Sequence, residues 1–325
     1  MDQTSILRRI AQAGLRGLKP AFRTTRFLVS VMIPISLLVV ALQVSGALGL
    51  IAHRLDPIMR ILGLEGQASL VFLTAMILNI YSAIAVIGTL PLSPREIIIL
   101  ASMCLIAHNL IVESTVMRKT GSSVTKMVLL RVGTALVAGW ILNRILPRAP
   151  RTIIASVGSA PNGTIGLPSI DKILIALKYW AIASGILIIK IAIIVTVLMM
   201  LQKILEEFGV MEWLGKLMGP LMRVLGLPAS TGFLWIVANI VGLAYGSAIM
   251  IDRVETDQMT LYDGDLFNHH VAISHSLLED TLLFMAIGVP LLWAILPRLV
   301  LAILVVWLER GRRVIFRRSF QVGTF

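Results

Sequence analysis

Two stretches of the chain place ionisable side chains among apolar neighbours. One carries Cys104, His108, Asn109 and Glu113. The other carries His269, His270, His275, Glu279 and Asp280. His275 and Glu279 stand four residues apart, and so do Cys104 and His108, so each pair shares one face of a helix. Imidazole, thiolate and carboxylate together suit a transition metal, for which His275, Glu279, His108 and Cys104 are the candidate ligands. The same groups suit a proton relay or a coupling-ion site, because histidine titrates near neutrality. His–acid pairs can also simply lock helices together by hydrogen bonds. A second polar set is Asn79, Ser82 and Tyr81 in the first half, with Asn239, Tyr245 and Ser247 in the second. Amides and hydroxyls of this kind can read a base and a ribose, or can bond between close-packed helices. HExxH, CxxC and GxSxG patterns are absent, so no enzyme is expected. No cofactor is expected beyond a divalent metal ion.

The segments around these residues define their solvent. Of 325 residues, 57% are hydrophobic and only 14% charged, with a mean hydropathy of +0.91. Ordinary soluble domains carry about 25% charged residues, so a soluble globular enzyme is excluded and an all-α polytopic membrane protein is implied. A spanning helix needs about 20 mostly apolar residues. Eight stretches qualify, at 27–46, 68–88, 95–113, 124–146, 182–203, 229–251, 266–287 and 289–308. Ionisable groups inside such spans are costly and are candidates for function by that fact alone.

The net charge of +12 is concentrated near helix ends. Lysine and arginine are enriched in cytoplasmic segments. The even span count puts the basic N-terminus (1–26), the Pro- and Gly-rich linker (147–172) and the basic tail (310–325) on one, cytoplasmic, face.

The halves repeat each other. Pro57-Ile58-Met59-Arg60 through Gly63-Leu64 matches Pro220-Leu221-Met222-Arg223 through Gly226-Leu227. His108 pairs with His275, Arg131 with Arg298 and Trp140 with Trp307. An ordered series of matches at offsets of 163 to 167 residues marks an internal duplication. The units are expected at 27–146 and 173–309, each with four spans, which implies repeats of parallel orientation. A full crossing by the short segments 53–65 or 213–227 would invert them.

On the regions Asn79–Glu113 and Asn239–Asp280, each a small-residue helix followed by a helix with His and an acid five residues on, the chain resembles the nucleoside-recognition, or Gate, family. It looks like a fusion of units of the spore maturation protein A and B types, with distant similarity to the membrane gates of ferrous iron transporter B. The resemblance implies a membrane protein with paired gates and a nucleoside-like solute. The GTPase of the iron transporter has no counterpart, since no GxxxxGK[ST] stretch is present.

The expected function is transport of a small solute or cation, nucleoside-like or a divalent metal, through a polar site between the repeats, with proton coupling as one form. The site residues are His108, Asn109, Glu113, His275, Glu279, Asp280, Asn79, Asn239 and Ser247. A non-transporting assembly or signalling partner in envelope processes is the alternative. Expected partners are the bilayer, anionic lipids at the basic termini, the solute or cation, and a second copy of the chain. Nucleic acid is not among them. The expected location is the bacterial cytoplasmic membrane.

Overall fold

A computed structural model describes residues 3–45, 47–147 and 170–322, and the described residues are helices joined by turns. The first half holds α1 (Gln3–Val44), α2 (Ala47–Ile61), α3 (Ser69–Ile77), α4 (Ile80–Ile87), α5 (Pro94–Ile106), α6 (Leu110–Arg118) and α7 (Val124–Ile145). The second holds α8 (Ile170–Glu207), α9 (Val210–Leu217), α10 (Gly219–Val224), α11 (Gly232–Ile240), α12 (Leu243–Glu255), α13 (Leu261–Ser274), α14 (Glu279–Met285) and α15 (Leu291–Val322). Five stretches are long and apolar enough to cross a membrane: Ile6–Val44, Pro94–Arg118, Val124–Ile145, Ile173–Glu207 and Leu291–Ile315. The fold is an all-α polytopic membrane protein.

The longest helices pair along their lengths. Arg9 bonds Glu207 at 2.9 Å, Gly17 lies against Met199 and Met200, and the indole of Trp180 donates to Ser36 Oγ at 3.0 Å. As one residue number rises the other falls, so α1 and α8 are antiparallel. Small residues let their backbones approach. The outer face of α8 presents Ile182, Ile186, Ile189, Ile193 and Val197, a stripe at helical spacing suited to lipid.

Two expected spans, 68–88 and 229–251, are not single helices. The first is α3 and α4 folded back on each other. Its two ends meet, because Arg95 donates to Gly63 O at 3.3 Å and Gln43 at the end of α1 donates to Thr89 O at 2.8 Å. The turn falls at Asn79, whose carboxamide oxygen accepts from Ser82 N at 2.9 Å and caps α4. The second is α11 and α12, with Arg253 stacked 5.5 Å over the Phe233 ring. Its turn is made by Gly242 at φ 109°, a conformation side-chain-bearing residues rarely adopt. A continuous apolar run hides both turns in the sequence.

Each half therefore runs as a long helix, an amphipathic segment, a hairpin that returns to its own side, a broken crossing helix (α5–α6 or α13–α14) and a final crossing helix (α7 or α15). An odd number of crossings inverts the repeats, against the parallel arrangement expected from four spans per half. The backbone repeats in detail. The amphipathic segments end in the same C-terminal motif: Leu64 N donates to Met59 O at 3.0 Å and Leu227 N to Met222 O at 2.7 Å, with Gly63 and Gly226 at φ 70° and 75°.

Orientation corrects a second expectation. Asn143 near the end of α7 bonds Ile61 O and Arg95, at the same end of the bundle as Gln43. Lys126 at the start of α7 meets Glu309 late in α15. The start of α1 and the later part of α15 thus lie at one end of the bundle, while the residues flanking the linker, Leu146 and Ile170, lie at the other. Most of the linker, 148–169, falls outside the described residues.

Candidate functional site

Both crossing helices break at mid-length, at the matched positions. Asn109 and Ser276 adopt φ 47° and 51°, a left-handed conformation costing about 1–2 kcal/mol for such residues. Their backbone N–H groups are met by the hairpins: Asn109 N donates to Ala75 O at 2.8 Å and Ser276 N to Ala238 O at 3.0 Å. Leu278 N adds a bond to Asn239 O at 3.1 Å. Irregular backbone at this depth needs partners of this kind, because lipid supplies none.

The breaks bring together the residues the sequence singles out. His108 Nε2 lies 3.1 Å from His275 Nε2. Glu113 sits astride the pair, with Oε1 3.3 Å from His108 Nε2 and Oε2 3.3 Å from His275 Nε2. Asp280 Oδ2 is 3.6 Å from His108 Nε2 and makes no hydrogen bond. None of these four is more than 8% exposed, so the cluster is closed in this state.

Two arginines hold the cluster, and the sequence reading noted their matched positions without assigning them to the site. Arg131, fully buried, donates to Ile106 O at 2.9 Å and His108 O at 2.8 Å, and its Nη1 is 2.7 Å from Glu113 Oε2. Arg298, equally buried, donates to His275 O at 3.1 Å and Thr281 Oγ1 at 2.7 Å. Arg131 takes two carbonyls freed where its repeat's helix breaks, and Arg298 takes one, with its Nε on Ala294 O of its own helix. The available signal was an arginine at equal register deep in an apolar run of each half.

The remaining expected residues divide. Glu279 accepts from the Tyr81 hydroxyl across the repeats and stands outside the histidine cluster. Cys104 is buried in the apolar core; its carbonyl, not its thiol, serves the site by facing His108 Nδ1. The four metal ligands expected from sequence are therefore not gathered: His108 and His275 converge with Asp280 instead. Asn79 is used as a helix cap. Asn239 donates to Trp235 O and keeps a buried carboxamide oxygen without a hydrogen bond. Ser247 is buried on α12, and the side chain of Tyr245 lies outside the description.

A second polar cluster joins α7, α13 and α15 at the end of the bundle that holds the start of α1. Glu309 meets Lys126 at 3.2 Å, Arg312 at 2.8 Å and Arg313 at 2.8 Å. Asp265 pairs with Arg313 and accepts from Ser122 at 2.6 Å. The positions of the first half matching Asp265, His269 and Glu309 are Ile98, Ser102 and Leu142, so among the described residues this charged cluster has no counterpart in the first half.

Inverted repeats, paired hairpins and broken helices meeting at buried charge define a class of polytopic membrane protein with a transporter-like centre. The Gate model, described as nucleoside recognition, matches residues 26–123 and 188–307, and the chain belongs to that family. It is 32% identical over 294 residues, 89% of this chain and 91% of the relative, to the uncharacterized membrane protein YvoD of Bacillus subtilis (strain 168). No solved structure matches.

Proposed function

We propose that the protein is a secondary transporter that moves a small solute across the bacterial cytoplasmic membrane, with its site where the hairpin tips meet the broken helices. The observation that carries this reading is the convergence of His108, Glu113, His275 and Asp280 at the breaks of α5–α6 and α13–α14. Burying so many ionisable groups is costly on insertion scales, at least about 2.5–3.5 kcal/mol for a carboxylate at mid-membrane. Locking helices could be done with serine and asparagine alone. Inverted repeats also give alternating access a structural basis, since rocking one repeat against the other exposes the same site to either side.

The family description favours a nucleoside-like solute, and the unpaired oxygen of Asn239 offers an acceptor for it. A divalent metal is the second substrate class, supported by the convergence of His108, His275 and Asp280. No covalent chemistry is assigned to the protein. The basic segments 1–26 and 310–325 face the cytoplasm and its anionic lipids in this reading, and a second copy of the chain is a further partner. The closed, buried state of the cluster supports the other reading, a non-transporting envelope partner.

The test is uptake into proteoliposomes of labelled nucleosides and, separately, of ferrous or zinc ions, comparing the native chain with His275→Ala and Asp280→Asn. Transport by the native chain and its loss in both folded variants supports the site. Wild-type rates in both variants would overturn it, and no uptake of any of these substrates would favour the partner role.

A further inference from the structure

We propose that the seam between the first-half turn 118–124 and the second-half helices α13 and α15 is a gate, clasped shut in this structure, at the end of the bundle that holds the start of α1. The proposal rests on the transport reading. The seam begins with backbone. Gly121, at φ 104°, carries the chain from α6 into α7. A Cβ there would stand 2.4 Å from Leu261 O, and a Cβ at Gly264 would stand 2.3 Å from Thr120 O. The two glycines thus let the turn of one repeat and the first turn of α13 touch more closely than any side chain would allow. Side chains then fasten the contact. The carboxamide nitrogen of the buried Asn268 lies 3.1 Å from Met117 O and 2.9 Å from both Thr120 Oγ1 and Ser122 Oγ. Ser122 donates to Asp265 at 2.6 Å. Lys126 reaches Glu309 at 3.2 Å and Asp265 at 3.9 Å. Every one of these contacts joins the first repeat to the second, so a rocking motion that opens this end breaks them together.

The matched turn of the second repeat is held differently. Gly288, at φ 96°, stands 167 residues after Gly121, and the turns close alike: Ser122 N donates to Met117 O and Val289 N to Phe284 O, both at 3.1 Å. Among the described residues, however, nothing lies within 4 Å of a Cβ at Gly288, and Ala286 O in that turn takes Lys190 of its own repeat at 3.2 Å. The positions matching Ser122, Lys126, Gly264 and Asn268 are Val289, Trp293, Ile97 and Ala101. One turn is therefore clasped across the repeats and its counterpart is not. In inverted repeats, exchanging the arrangements of the two halves converts one access state into the other, so this asymmetry marks the clasped end as the closed one.

The chemistry of the seam suits a joint that parts. Lys126 is 37% exposed, so the clasp borders water. Water can replace each lost hydrogen bond and screen each lost ion pair, which keeps the net cost of opening small. On the proposed orientation this end faces the cytoplasm.

The experiment measures distances between spin labels by pulsed electron resonance on the full chain in lipid nanodiscs. The labels sit at Lys119→Cys and Gln258→Cys, exposed positions on the two sides of the seam. The native clasp is compared with Lys126→Met combined with Glu309→Gln. The expected result is a dominant short distance in the native clasp and a rise of about five-fold or more in a longer, separated population in the double variant. If the double variant does not fold, Ser122→Ala, which keeps every charge, is expected to shift the population in the same direction. A single unchanged distance in the folded variants, even with a lower unfolding temperature, would overturn the gate and leave the cluster a fastening of the fold. Uptake assays on the same preparations separate the two readings. A seam that parts in a protein that moves neither nucleosides nor metal ions would keep the moving joint and sink the transporter. Uptake through a seam that never separates would sink the gate and keep the transporter.

Discussion

Lys126 Nζ lies 3.2 Å from Glu309 Oε1, which ties the first turn of α7 to the far part of α15. Arg131 and Arg298, on the same two helices, both sit at the central cluster. The helices that match each other in sequence therefore run in opposite directions, and the repeats are related by inversion. This relationship fixes which segments share an end of the bundle. Arg9 and Glu309 lie at one end, and Asn143 and Ile170 at the other.

It follows that cysteines introduced at Arg8 and Asp171, both exposed, react from opposite sides of the membrane. On the proposed orientation, with the basic termini inside, an impermeant thiol reagent added to intact cells is expected to label Asp171→Cys and spare Arg8→Cys. The native Cys104 is fully buried and stays silent. Labelling of both positions from the same side would refute the inverted arrangement.

The bond from the Tyr81 hydroxyl to Glu279 crosses from the hairpin of one repeat to the broken helix of the other. Tyr81→Phe leaves a largely buried carboxyl group without its donor, at a cost of about 1–3 kcal/mol. In a double-mutant cycle with Glu279→Gln, measured by unfolding in detergent, the pair is expected to show a coupling energy of about 0.5–3 kcal/mol. Strict additivity would mean that the two side chains do not act on each other.

Glycines separate tight contacts from open ones. A Cβ at Gly17 would stand 2.7 Å from the Met199 oxygen and the Met200 nitrogen, both backbone atoms of α8 that cannot swing aside. Gly17→Val is expected to force α1 from α8 and destabilise by about 1–3 kcal/mol. At Gly185 nothing lies within 4 Å, and Gly185→Ala in the helix interior should stabilise by about 0.4–1 kcal/mol. Thermal unfolding of the two variants checks both signs.

Much of this was legible in the chain. The duplication, the matched histidines and the acids beside them were read from spacing alone, and the structure brings His108, Glu113, His275 and Asp280 into one cluster. The orientation of the repeats was not legible, because it turns on whether 68–88 and 229–251 cross or return. Only Asn79 and Gly242 mark those turns, and each is equally at home inside an apolar helix-packing face. The linker shared the same fate: its charges suggested the side of the termini, while parity placed its flanks opposite. Cys104 misled for another reason. Helical spacing puts it on the face of His108, but the local break turns its carbonyl to the ring and leaves the thiol in the core.

Arg131 gives the last prediction. Its side chain is wholly buried and does three things at once: it takes Ile106 O, takes His108 O, and faces Glu113 at 2.7 Å. Removing one partner of a buried ion pair strands the other, which costs about 3–5 kcal/mol, so Arg131→Met should lower the unfolding temperature sharply. Arg131→Lys keeps the charge but loses the planar fork that reaches two carbonyls and a carboxylate together, and it should recover only part of the loss. The double variant Arg131→Met with Glu113→Gln removes both charges and should be more stable than Arg131→Met alone, because no carboxylate is left uncompensated. Unfolding of the three variants in one detergent distinguishes the cases. If Arg131→Lys matches the native protein, the fork is not what holds the break of α5–α6. If the double variant is the least stable of the three, Glu113 has its charge balanced by some group other than Arg131.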